Sequence, residues 1–201
     1  VTDRLVVATA NPDKLREIEG ILRGLDVTLC PVVEMFPGWD VEETGSTLSD
    51  NALLKAESAC RATGLPAVAD DTGLFVAALG GAPGIYSARY AGAGCSYEDN
   101  VRKLLMALAG ERGPGRRAEF RTAAALVRPE EEPVCVTGRV EGSITLERSG
   151  EGGFGYDPVF ESTELGKTFS EAAQEEKDSV SHRRRALQRL RLEMARARGR
   201  A

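Results

Sequence analysis

Two adjacent aspartates close an apolar run in Ala67-Val68-Ala69-Asp70-Asp71-Thr72-Gly73. Carboxylates at the end of a buried strand are what a magnesium ion or a general base would use. Side chains alternate across a strand, so Asp70 and Asp71 should face opposite ways, one serving structure and the other entering a cleft. The competing reading is a polar strand end capping a Thr72-Gly73 turn, since Asp is a common turn residue. Four other groups carry comparable chemistry. Thr9-Ala10-Asn11-Pro12-Asp13-Lys14 lies between an apparent strand and an apparent helix. There the backbone N–H groups and the positive helix end suit an anion, and Lys14 adds a charge suited to phosphate. The segment lacks the glycines of a phosphate loop, and a capped turn is its simpler explanation. Glu42-Glu43-Thr44-Gly45 precedes a helix that carries Asn51 and Lys55 four residues apart on one polar face. That face is either solvated or, with the carboxylates before it, part of a magnesium–phosphate site. Gly80 to Tyr90 forms a glycine-rich, tyrosine-bearing loop. Gly153-Phe154-Gly155-Tyr156-Asp157-Pro158, with Lys177 and Ser181-His182-Arg183 further on, completes the set. Glycines flanking Phe154 would let the backbone approach a flat ligand closely. His182, the sole histidine, is most simply a surface residue at a helix start.

These groups need elements to hold them. Leu5 to Ala8 reads as a buried strand, Lys14 to Leu22 as a helix with Leu15, Ile18 and Leu22 on one side, and Val27 to Cys30 as a second strand. Thr47 and Asp50 have capping-box spacing at the start of a helix that should run to Thr63 and stop at Gly64. Tyr97 to Ala109 shows an amphipathic stripe of Val101, Leu104, Leu105 and Leu108. Ala118 to Val127 and Val134 to Val140 read as long strands, and Tyr156 to Phe160 as extended chain. A last helix starts near Ser181 and buries Leu187, Leu190 and Met194. The 201 residues contain no repeat and no low-complexity linker, so residues 1–201 are expected to form one α/β domain. The strands of the second half point to a mixed sheet.

Composition narrows the class. Apolar content of 42% and charged content of 28% are ordinary for a soluble globular chain. A formal charge of −5 argues against a general polyanion binder while permitting a local basic site. The first apolar run is too short for a signal peptide, and none approaches a membrane span. Cys30, Cys60, Cys95 and Cys135 show no zinc spacing and read as reduced thiols, as in a cytoplasmic enzyme.

In combination, ATANPDK, EETGSTLSDNALLKA, ADDTGL, GGAPGIYSARYAG, GGFGYDPVF and EEKDSVSHRRRAL, in this order, closely resemble the inosine triphosphate pyrophosphatase family. The resemblance spans nearly the whole chain. It implies an elongated two-lobed α/β fold with a mixed, curved central sheet flanked by helices and a deep cleft between the lobes. It also implies a homodimer and a Mg2+ requirement. The implied reaction converts deaminated purine nucleoside triphosphates (ITP, dITP, XTP) to the monophosphate and pyrophosphate. By motif, Thr9, Ala10, Asn11, Pro12, Asp13 and Lys14 would bind the triphosphate with help from Lys55. Asp71 and the Glu42-Glu43 segment, Glu42 favoured, would hold the metal, Asp71 also matching the proton acceptor. Thr72, Phe154, Gly155, Tyr156, Asp157, Lys177, His182 and Arg183 fall on substrate-binding positions. Two positions depart from the family pattern: Thr72 stands where Ser is frequent and Ala10 where Gly is common. A pyrophosphatase of another base preference is the nearest alternative. Nucleic-acid binding through Arg184, Arg185, Arg189, Arg191, Arg196, Arg198 and Arg200 of the last helix is a second and is not expected, because the remainder of the chain is acidic.

Overall fold

The computed structural model describes residues 3–198, with the side chains of 196–198 excepted. These residues form two compact units. The first contains the chain up to Asp71, then Thr122–Gly138, then the chain from Arg183 onward; the second contains Thr72–Arg121 and Arg139–His182.

In the first unit, strand β1 (Asp3–Val7) lies between β2 (Val27–Pro31) and β3 (Ala67–Val76), parallel to both, with Leu5 opposite Leu29 and Val6 opposite Ala67. Parallel neighbours need a crossover, and helices α1 (Pro12–Leu22) and α3 (Leu48–Thr63) supply it. Between β2 and α3 sits the single turn α2 (Val32–Met35). Asn11 caps α1: its side-chain oxygen accepts from the N–H groups of Asp13 (2.9 Å) and Lys14 (3.2 Å). The Thr47–Asp50 capping box opens α3, and Gly64 closes it in the left-handed conformation (φ 68°), as the sequence predicts. Ile18, Ile21 and Leu22 of α1 pack with Leu5, Val7, Val68 and Leu126 and with Leu187, Leu190 and Met194 of α6 (His182–Arg198). Two arginines of α6 bond to backbone carbonyls: Arg189 donates to that of Thr137, and Arg191 to that of Ile21 at 2.9 Å. Arg200 and the side chains of Arg196 and Arg198 lie outside the described residues.

The second unit packs Leu74, Val76, Val101, Leu104, Leu108, Phe120, Val140, Ile144, Phe160 and Phe169 into its own core. Here α4 (Tyr97–Ala107) starts at a Ser96–Asp99 capping box. Strands β5 (Arg117–Val127) and β6 (Val134–Ile144) each carry residues of both units. With β4 (Pro83–Gly84), β7 (Phe160–Ser162) and β8 (Lys167–Thr168), the hydrogen-bonded order is β2-β1-β3-β5-β6-β7-β8, β4 pairing with β3. The β3–β4, β6–β7 and β7–β8 pairs are antiparallel, so the sheet is mixed, as expected, with helices flanking it. Helix α5 (Gln174–Val180) precedes α6. Arg116, almost fully buried, ties this unit together by donating to the carbonyls of Leu108 (2.8 Å) and Ile144 (2.6 Å).

Two sequence expectations change. Thr72-Gly73 is not a turn: β3 runs through it to Val76, and Leu74 pairs with Gly84. A Cβ on Gly73 would lie 2.5 Å from the Gly84 carbonyl oxygen, so the glycine serves close strand approach instead of chain reversal. Within the stretch expected to be extended, Asp157–Val159 forms a 3-10 turn, anchored by a Tyr156 hydroxyl that donates to the Ser87 carbonyl at 2.9 Å. Among the described residues no helix is long and apolar enough to cross a membrane.

Candidate active site

Alternation along β3 separates the two aspartates as expected, and each meets a different set of cations. Asp70 is 1% exposed and accepts from the Arg183 guanidinium at 2.9 Å, with the Lys14 ammonium 3.4 Å away. Burial opposes its charge, yet Arg183 and Lys14 outweigh burial and hold the carboxyl well below the usual carboxylate range. The guanidinium also pairs with Glu17 of α1. Arg183, proposed by motif to read substrate, is thus held inside the first unit by two carboxylates.

Asp71 faces α3. Its carboxylate accepts from Lys55 Nζ at 3.1 Å and from the Asn51 side-chain amide at 3.3 Å. Lys55 also donates to Glu43 at 2.7 Å, so two carboxylates converge on one ammonium. Burial pushes the Asp71 carboxyl up, and Lys55 and Lys14 offset only part of that rise. Burial works against the charge on Lys55 as well, but Asp71 and Glu43 more than compensate and raise it. Asn51 is fully buried and Lys55 nearly so; their helix face is not solvated, because it packs toward this carboxylate. Asn51 in turn is oriented by the Gly45 N–H, which donates to its carbonyl oxygen at 2.8 Å. A Cβ on Gly45 would fall 2.6 Å from that oxygen, so only glycine permits the approach.

Of the adjacent pair Glu42-Glu43, the sequence favoured Glu42. Glu42 is exposed and Glu43 is the member that joins the cluster. Thr9 is buried and its hydroxyl accepts from the Asn11 N–H at 3.2 Å. Ala10 and Pro12 are exposed, and Asp13 pairs with Arg16. Glu130 is the non-glycine residue with positive φ among the described residues, so Ala10 holds its place in the family's glycine position without left-handed backbone. Burial lowers Lys14, with Asp70 opposing.

The second unit holds the remaining candidates. Asp157, buried, accepts from Lys177 Nζ at 2.6 Å and from the Phe154 N–H at 2.9 Å on the same oxygen. The Lys177 ammonium stands 4.9 Å from the centre of the half-buried Phe154 ring. Gly153 and Gly155 both have positive φ (71° and 63°), and a Cβ on Gly153 would meet the Asp157 carboxylate at 2.2 Å. The glycines therefore build the turn that presents Phe154. His182 is 4% exposed and stacks on Phe120 with ring centres 4.6 Å apart; the surface placement does not hold. Thr72 is half-buried on β3.

The sequence profile of the Ham1 family matches residues 5–193. The chain belongs to the Ham1 family. A dITP/XTP pyrophosphatase of Geobacter sulfurreducens is 50% identical over 185 residues, covering 92% of each chain. One of Pectobacterium atrosepticum is 47% identical over 190 residues, 93% of this chain and 95% of that one. Among solved structures, a HAM1 protein from Coxiella burnetii superimposes with a TM-score of 0.87 at 40% identity over 96% of this chain and 99% of that one. A nucleoside-triphosphatase / dITP/XTP pyrophosphatase from Mycobacterium abscessus gives 0.75 at 44% identity, over 93% and 98%. Within this Ham1 family chain, sequence reasoning missed Glu17 and Phe120. Glu17 stands three residues after Lys14 and four before the buried Ile21, the helical spacing that marks a buried face. Phe120 gave no signal apart from its place in a strand.

Proposed function

We propose that the protein is a nucleoside triphosphate pyrophosphatase that hydrolyses deaminated purine nucleotides (dITP, ITP, XTP) to the monophosphate and pyrophosphate with Mg2+. The observation that carries the reading is the convergence of the Asp71 and Glu43 carboxylates on Lys55 Nζ, at 3.1 and 2.7 Å, in a chain 47% identical to a dITP/XTP pyrophosphatase. Oxygen donors already gathered around one cation suit a hard divalent ion, which is commonly held by one or two carboxylates together with substrate phosphates. Asp71 and Glu43 would hold it, and bound there it would neutralise charge on the departing pyrophosphate. Lys55 and Lys14 add positive charge for phosphate oxygens, and the capped start of α1 with Thr9 and Asn11 supplies donors near them. Asp71 orients the attacking water and accepts its proton late in the reaction. For base recognition the candidate is Phe154, whose ring would stack on the purine. Lys177 and His182 lie among the polar groups of the same unit, and Asp157 sets the position of Lys177. Donors aimed at a 6-oxo group would face the N–H groups of adenine, and such mismatches support discrimination of about 10⁴-fold in well-built sites.

One family profile running across both units supports reading them as a single catalytic domain. The free thiols of Cys30, Cys60, Cys95 and Cys135 accord with a cytoplasmic enzyme, and sedimentation analysis tests the homodimer that the family resemblance implies. The deciding experiment is a hydrolysis panel of dITP, ITP, XTP, GTP, ATP and UTP with and without Mg2+, read by pyrophosphate release. Turnover of the first three, lost on chelation, is expected. Asp71→Asn should keep the fold and lower kcat by at least about a hundredfold; near-native turnover would remove Asp71 from its role.

A further inference from the structure

Phe154 sits in a turn with left-handed backbone on both sides, its N–H held by Asp157 at 2.9 Å, so the backbone is set and the direction of the ring is left to side-chain contacts. Lys177 constrains one face. A second contact comes from the first residue of α4: the Tyr97 ring lies 5.9 Å from the Phe154 ring, tilted by 45°, inside the range of favourable aromatic pairs. Tyr97 is itself well anchored. The Ser96–Asp99 capping box fixes the start of α4, with the Asp99 N–H donating to Ser96 Oγ at 3.1 Å and the Ser96 N–H to Asp99 at 3.0 Å. The next residue, Glu98, pairs with Arg148 in the segment that leads into the glycine turn. Two successive side chains of α4 therefore hold the same loop, one by charge and one by its ring. Tyr97 is also 41% exposed, so it can be replaced without opening the core.

We propose that Tyr97 is a positioning residue for base recognition: it holds the Phe154 ring in the orientation that the purine meets. This rests on the reading of Phe154 as the stacking surface given above. An aromatic contact of this type translates into about a three- to tenfold change in affinity, and it acts on binding and not on the hydrolytic step, because Tyr97 belongs to none of the phosphate-handling groups. The test is steady-state hydrolysis of ITP by Tyr97→Ala, Tyr97→Phe, Phe154→Ala and the Tyr97→Ala/Phe154→Ala double variant, each checked for an unchanged melting curve. Tyr97→Ala should raise KM by about three- to tenfold with kcat within about twofold. Tyr97→Phe should restore the parental KM, and in the Phe154→Ala background Tyr97→Ala should add nothing. A parental KM in Tyr97→Ala alongside a raised KM in Phe154→Ala overturns the proposal and leaves the stacking reading intact. So does a KM rise shared by Tyr97→Phe, or one of equal size in both backgrounds. A parental KM in Phe154→Ala removes the stacking reading itself and this inference with it.

Discussion

Arg183 places a guanidinium where water hardly reaches it, 1% exposed between Asp70 and Glu17. Removing one member of such a group leaves buried charge uncompensated, which costs about 3–5 kcal/mol. Arg183→Ala should therefore lower the urea midpoint of unfolding by a margin that base recognition alone would not produce. Arg183→Lys should recover only part of it, because an ammonium cannot serve two carboxylates with the fixed fork of a guanidinium. An unchanged midpoint in Arg183→Ala would show that the pairing carries no stability. The same residues mark how far side-chain roles can be read from sequence. Asp71 stood out because it ends an apolar run, whereas Lys55 showed only as one of two polar residues on a helix face that could equally have been solvated. Glu17 was not, since its partner is 166 positions away and nothing local announces the pairing. That Glu43 and not Glu42 reaches Lys55 depends on the backbone path before α3, which no spacing rule supplies.

At the level of elements, local chemistry was read well and tertiary substitution of local chemistry was not. The Thr47–Asp50 box and Gly64 bound α3 where the sequence places it, because capping uses neighbours only three or four residues apart. Thr47→Ala should cost about 1 kcal/mol, measurable by thermal unfolding. It should also loosen Asn51 and Lys55, which ride on the first two turns. Thr72-Gly73 misled because Gly has two uses, reversing a chain or letting two strands close in, and only the pairing of Leu74 with Gly84 distinguishes them. Gly45 is the second kind. Gly45→Ala would set a methyl group 2.5 Å from Asp50 Cβ and 2.6 Å from Asn51 Oδ1. It should destabilise by about 1–3 kcal/mol and lower kcat by turning the Asn51 amide away from Asp71. Full activity with unchanged stability in that variant would show that α3 has room to shift.

Over the whole molecule, the mixed sheet and the class of reaction were legible from six ordered strings. Which apolar residues join which of the two cores was not, since an apolar position does not name its core. Chelation should abolish hydrolysis and Mg2+ restore it, while the melting curve stays close to its original position, because the cores in both units are apolar and owe nothing to an ion. Lys55 gives this expectation its reason. Its ammonium already balances the two carboxylates of the proposed metal site, so the bare ion should bind only weakly. Phosphate oxygens give that ammonium somewhere else to go, and ion and nucleotide should consequently load as a pair. Calorimetric titration with Mg2+ alone should show weak heats that strengthen once a non-hydrolysable triphosphate is present. Equal affinity under both conditions would mean that the lysine never leaves its post.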